Sequence, residues 1–284
     1  MSESLPVYRV RARNTSAHSE NKIHDDALAR TYGFRGGLVP GIIVYAYMTE
    51  PLVHGLGEAW LRRGTAHARF RRPIVDGDHV TAAGEVTART PTGLNARVTA
   101  RTDTEGECGV AEATLPAGSP TPVNVAMYPT APLPSERPLA TREHFSGLDV
   151  LGTPETTYDA ERAAGWLERI DDPRPFYRAA DAWVHPAFYL EQANRAIDRN
   201  VRVGPWIHVE SRIRHLGGAR MGETLQTRGR VRSLYERKGR EYVELDLLVV
   251  ALGGTRPRPV AHVIHTAIYR LPSPGGVESS SPAC

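Results

Sequence analysis

Residues 42–64, IIVYAYMTEPLVHGLGEAWLRRG, decide how the rest of the chain is read. Their β-branched opening admits a strand, but Pro51 and Glu58 do not suit a central strand, and the run is longer than an ordinary strand of about 5–6 residues. Read as a helix begun at Gly41, the segment is apolar nearly all round in its first two turns, as expected of a helix enclosed on most sides. Downstream, period-two alternation marks strands: Ala68 and Phe70 oppose Arg69 and Arg71, followed by Val80, Ala82 and Gly84, then Val98 and Ala100. The expected picture is a buried helix wrapped by a long antiparallel sheet.

The second half repeats this order, with Val209, Ser211 and Ile213, then Tyr242 through Val250, then Val260 through Tyr269. Gly77-Asp78 and Gly84 recur as Gly222-Glu223 and Gly229, both at an offset of 145 residues. At the same offset Val39-Pro40-Gly41 matches Val184-His185-Pro186, each ahead of an expected helix. Three pairings in one order argue for duplication. Between the halves, residues 115–138, LPAGSPTPVNVAMYPTAPLPSERP, have a composition that sustains neither helix nor central strand. The expected organisation is a first unit over 1–116, a Pro-rich linker over 117–145, a second unit over 146–272, and a disordered tail over 273–284.

With 284 residues, 40% hydrophobic and 24% charged, the chain affords a sizeable core and global disorder is excluded. A net charge of +3 carries no nucleic-acid signature, and apart from Lys22 and Lys238 every basic residue is arginine. Only Cys108 and Cys284 are present, so a disulfide framework is not expected and a reducing cytoplasm fits. The N-terminal residues lack an apolar signal core, and the nearly apolar run 38–48 is far short of the roughly 20 residues that span a bilayer. No membrane association is expected. Glycine-rich nucleotide loops are missing, and His262 and His265, three apart in a strand, face opposite sides; no cofactor and no metal are expected.

Residues 19–41, SENKIHDDALARTYGFRGGLVPG, gather acid, base and amide side chains ahead of two helix starts. His24 suits a general base near neutral pH, with Glu20, Asp25 or Asp26 available to orient its imidazole. Gly41 at a helix start offers a backbone N–H to a substrate oxyanion. The same residues also have plain structural uses: Asp25 or Asp26 as a cap for a short helix over 27–32, Asn21 in a turn, and Gly33, Gly36 and Gly37 for turn geometry.

Asn21-x-Ile23-His24-x-Asp26, with Ala29, Gly33-Phe34 and Leu38-Val39-Pro40-Gly41, resembles the overhang segment and central-helix start of MaoC-like hot-dog proteins, the (R)-specific enoyl-CoA hydratases and 3-hydroxyacyl thioester dehydratases. Arg69-Phe70-x-x-Pro73 and Gly77-Asp78 with Val80 resemble that family's strand motif. The resemblance covers residues 5–115 specifically and the second half as a degenerate repeat. It implies an α+β double hot-dog: two long antiparallel sheets, each wrapping a central helix, paired as an internal pseudo-dimer with the acyl chain between them. It also implies an acyl-CoA or acyl-carrier-protein substrate, His24 as acid/base, Asn21 and Pro40 in the substrate site, and Gly41 as oxyanion donor. The family motif is Asp-x-Asn-x-x-His, and its aspartate position is Ser19 here, which cannot ionise, so the role falls to Glu20 or Asp25. Lys22 stands where a proline is usual.

Two other readings compete. A hot-dog thioesterase would use a polar group of residues 185–200, HPAFYLEQANRAIDRN, where Glu191, Gln192, Asn194 and Asp198 are available; a solvated helix face explains them equally well. The third reading is an acyl-binding protein or diverged enzyme without either activity. Arg62, Arg63, Arg69 or Arg71 at a tunnel mouth would favour a CoA or phosphopantetheine ligand. A monomer and a homodimer are both permitted.

Overall fold

A computed structural model describes residues 3–172, 174 and 177–272, so the expected tail lies outside the described residues. In chain order the first half carries β1 (Glu3–Ser4), β2 (Tyr8–Arg11), α1 (Asp26–Thr31), α2 (Gly41–Arg63), β3 (Thr65–Phe70), β4 (His79–Thr90), β5 (Gly93–Thr102) and β6 (Gly106–Pro116). The second carries α3 (Arg142–Ser146), β7 (Glu155–Thr157), α4 (Ala160–Ile170), α5 (Phe188–Asp198), β8 (Ile207–His215), β9 (Thr224–Arg237), β10 (Arg240–Leu252) and β11 (Arg258–Arg270).

Helix α2 is the segment whose reading decided the fold. Every residue from Ile42 to Thr49 is buried, the polar end of the helix begins only after Val53, and Gly57, at φ +64, breaks the helical backbone before Trp60 and Leu61 turn inward again. The enclosing surface is β4, β5, β6 and β8. Helix α5 lies against β9, β10 and β11 in the other half.

The strands form one sheet, in the order β1-β4-β5-β6-β3-β8-β11-β10-β9-β7, with β2 paired to β4. This departs from the expectation of two separate sheets. Strands β3 and β8 would each leave an edge of unpaired backbone N–H and C=O groups, and pairing them satisfies both. The register is antiparallel, Ala66↔Ile213, His67↔Arg212 and Ala68↔Ser211. Because 67 and 212 differ by the repeat offset of 145, the junction is symmetric about that pair.

The duplication is visible in the hydrogen bonds themselves. Val39 N–H donates to Ile74 O (2.8 Å), and at the same offset Val184 N–H donates to Ala219 O (2.9 Å). Asp78 accepts from Val75 N–H (3.0 Å), and Glu223 from Arg220 N–H (2.7 Å). Gly77 and Gly222 both hold left-handed φ, +83 and +88, in the turns that open β4 and β9.

Over residues 117–138 the only regular element is a single turn, Val125–Met127, and α3 begins inside the segment 117–145 expected as linker. The segment is nevertheless docked. Tyr128 packs with Leu216, Leu248 and Val250 on the outer face of the second half, which explains why β10 is buried on both sides over 245–251 instead of alternating. The Tyr128 hydroxyl donates to Asp246 Oδ1 (2.9 Å), His262 Nε2 lies 2.8 Å from the same oxygen, and Arg230 donates to Oδ2 (2.8 Å). Burial opposes ionisation here, but His262, Tyr128 and Arg230 outweigh it and hold the Asp246 carboxyl down to about 2 from an ordinary 3.8. A carboxyl more acidic folded than unfolded contributes stability above pH 4 and loses it as pH falls through 2, here on the order of 2 kcal/mol. Asp246→Asn is therefore expected to lower the melting temperature by several degrees at pH 7, with a deficit that narrows toward pH 2; equal melting at pH 7 would remove the clamp from the account.

Candidate functional site

The segment ahead of α2 is organised by Asn21. Its Oδ1 accepts Trp206 N–H (3.1 Å) and caps the turn at Ile23 N–H (3.4 Å), which leaves Nδ2 to donate to Trp206 O (3.0 Å). The amide thereby ties the first half to the second and aims Nδ2 at His24 Nε2, 3.3 Å away. On its other side His24 Nδ1 lies 2.6 Å from Leu38 O, an acceptor only, so the proton sits on Nδ1 and Nε2 carries the lone pair. Burial holds His24 below the ordinary histidine range, and the Leu38 contact only partly offsets that. The result is a neutral, oriented base whose Nε2 contact is long enough to be exchanged for a water proton.

Two cavities meet at this histidine. The first, about 190 Å3, lies over the start of α2 and is walled by Phe34, Gly41, Phe70, Ile74, His208 and Ile268. Arg71, Arg72 and Arg240 also line it. Arg71 pairs with Glu107 (2.6 Å), Arg72 donates to Glu105 O, and Arg240 has no ion pair among the described residues. The second, about 590 Å3, is polar and takes Ser19, Glu20, Arg137, Glu191 and Asp198. Asn21, His24, Pro40, Asn194 and Trp206 line both.

The other sequence-derived residues are placed as follows. Ser19 lines the second cavity and donates to the Asn21 carbonyl (3.3 Å). Glu20 pairs with Arg137 (2.9 Å) on a side chain 79% exposed. Asp25 caps α1 through Leu28 N–H (2.9 Å), and Asp26 accepts Gly37 N–H (2.7 Å); neither lines a cavity. Arg69 stands beside Glu112 (3.7 Å), Arg62 lies against Trp183, and Arg63 donates to Pro116 O, all outside both cavities. On α5, Glu191 is held by Arg169 (3.0 Å) and Gln192 is buried away from both cavities, while Asn194 and Asp198 face the site. Burial and the Glu20 carboxylate push Asp198 up to about 6.

Sequence reading missed His208, Ser211 and His265, because period-two alternation puts residues 208 and 211 on opposite faces. A bulge at Val209, where Thr266 pairs with Glu210 and Ala267 with His208, turns His208 inward beside Ser211. His262 and His265 do face opposite sides of β11, toward Asp246 and toward the interior.

Chains of known structure share this architecture from end to end. A Mycobacterium tuberculosis protein described as having a double hot-dog fold matches with TM-score 0.59 and 16% identity, covering 94% of this chain and 96% of its own. This chain has a double hot-dog fold. A protein provisionally described as a MaoC domain dehydratase, from Chloroflexus aurantiacus, matches with TM-score 0.64 and 9% identity over 96% of this chain and 95% of its own. An acyl-CoA thioesterase II of Mycobacterium marinum matches at 0.50 and 16%, over 96% and 97%. No family model and no curated protein sequence matches the chain. The likeness of residues 19–41 to MaoC-like proteins therefore meets solved structures of that description within one double hot-dog fold.

Gly41 is closely packed at the start of α2. A Cβ there would stand 3.0 Å from His208 Nδ1 and 3.1 Å from Phe70 Cε2. Were an acyl-CoA bound here, Gly41→Ala would be expected to weaken it by roughly tenfold while the fold survives, since alanine is a good helix former and the close atoms are side chains. Titration calorimetry with butyryl-CoA measures this, and unchanged affinity would mean the thioester does not approach α2.

Proposed function

We propose that the protein adds water to a 2-enoyl thioester, or removes it from the 3-hydroxyacyl thioester, with the two halves acting as an internal pseudo-dimer around one acyl chain. The observation that carries this reading is the neutral His24, its tautomer set by Leu38 O, lining two cavities, the first of which also takes Gly41, whose first-turn N–H has no hydrogen-bond partner among the described residues. In hydration His24 Nε2 takes a proton from water as its oxygen attacks C3. Charge moves to the thioester oxygen, where the Gly41 N–H and the start of α2 oppose it; C2 then takes a proton from the acid partner, and the proton held on His24 restores that acid.

The carboxyl that the Ser19 position does not supply comes, in this proposal, from Asp198 across the site. Burial drives His24 toward the neutral base and Asp198 toward the protonated acid, and such divergence lets one site hold both partners of an acid–base reaction at pH values up to about 6. Glu20 raises Asp198 and is itself tied to Arg137, so it acts through its charge. Arg71, Arg72 and Arg240 suit the phosphates of CoA or of a carrier-protein arm. The same Asp198 and Asn194 favour thioester hydrolysis as the competing reading.

Both readings are decided with purified protein and crotonyl-CoA. Loss of enoyl absorbance without release of free thiol is the expected result; thiol release would mark a thioesterase, and neither signal with tight binding would leave an acyl-binding protein.

A further inference from the structure

Behind Gly41 the second half carries a hydrogen-bonded chain that the mechanism above does not use. Ser211 on β8 stands directly opposite His265 on β11, and its Oγ lies 2.9 Å from His265 Nδ1 and 2.8 Å from His208 Nε2. All three residues are buried, with His208 and His265 rings 4.2 Å apart. Among the described residues two ring nitrogens at the ends of the chain have no well-formed hydrogen bond: His265 Nε2, and His208 Nδ1, which is packed against Gly41 in the wall of the first cavity, with the Glu210 backbone also beside the His208 ring.

One hydroxyl between two imidazoles allows two proton arrangements. In one, His265 Nδ1–H donates to Ser211, Ser211 donates to His208 Nε2, and the proton left over is on His208 Nδ1, at the cavity. In the other, the leftover proton is on His265 Nε2, sealed from any acceptor. A buried N–H without a partner costs on the order of 1–3 kcal/mol, and both end nitrogens are buried; the first arrangement is favoured because His208 Nδ1 stands against Gly41 in the wall of the first cavity, where a ligand oxygen can satisfy it, whereas His265 lines neither cavity.

We infer that His208 is a second donor to the thioester oxygen, its Nδ1–H completing with the Gly41 N–H an oxyanion site drawn from both halves of the chain. This rests on the acyl-thioester reading of the site but not on hydration being the reaction. Ser211 and His265 are positioning residues that set the tautomer. A neutral imidazole suits the task, and burial together with the neighbouring His265 keeps His208 uncharged.

The test uses two ligands of equal length with no double bond to hydrate, butyryl-CoA and its thioether S-butyl-CoA, which lacks the carbonyl oxygen, with free thiol followed so that binding is read before any hydrolysis. The full-length protein is expected to bind butyryl-CoA about tenfold tighter and to lower the 13C=O stretch of labelled ligand, while His208→Phe loses both effects. His208→Asn, whose amide N–H falls near the Nδ1 position, is expected to restore most of the stretch shift, which a merely structural role would not do. In hydration, His208→Phe should cost about 100-fold in kcat. Equal binding of the two ligands by the parent protein, or an undiminished preference in His208→Phe, overturns the inference. Preference present and lost on substitution, in a protein without hydration activity, upholds it and sinks only the hydratase reading.

Discussion

Replacing His24 with alanine is expected to lower kcat for enoyl-CoA hydration by about 10²- to 10⁴-fold, the range lost when a positioned general base is removed. On the hydration proposal the parent protein should hold its activity below pH 6.5 and lose it as pH falls through the depressed His24 value, because only the neutral ring accepts the water proton. Two polar contacts go with the ring, Nδ1 to Leu38 O and Nε2 to Asn21, so a stability loss of about 1 kcal/mol should accompany the change. Kinetics beside a thermal melt separate the two effects. A folded alanine variant within twofold of the parent kcat would remove His24 from the chemistry.

Asp198→Asn should move activity and stability in opposite directions. The folded carboxyl titrates near 6 and an ordinary one near 3.8, so above pH 6 the folded chain bears the full cost of a charge it holds poorly, and below 4 it bears none. Removing that charge is expected to stabilise the protein by about 2 kcal/mol at pH 7.5, allowing for the carboxyl's partial contact with solvent, and progressively less toward pH 4. Turnover should fall by at least about tenfold and the pH profile should lose its limb near 6. Melting curves at the two pH values, together with a pH–rate profile, test both halves of the claim. A variant no more stable at pH 7.5 than the parent would mean Asp198 is solvated, and unchanged turnover would return the carboxyl role to Glu20.

Much of the double hot-dog was legible in local chemistry. Helix α2 was readable because a run of buried residues with Gly41 at its head and Pro51 within it fits no strand. The duplication was readable from Gly77 and Gly222, which need left-handed backbone wherever that turn recurs. His24, Asn21 and Gly41 lie within one segment, so their nearness followed from short chain distance.

What the tertiary structure alone decided involves residues far apart in sequence or a shift in register. Two expected sheets became one because β3 and β8 each carried unpaired backbone, which no hydrophobic pattern within a single strand reports. Asn194 and Asp198 looked like a helix surface until β8 and the segment around Trp206 carried Asn21 and His24 across to them. His208 entered the site through a single extra residue at Val209, because in a two-residue repeat one insertion reverses the face of everything before it. Sequence by itself determined the elements, the repeat and the nearness of His24 to Asn21 and Gly41 within one segment, since these depend on neighbours within a turn or two. Which side chains of the second half meet that segment was decided by packing, since those contacts join the two halves.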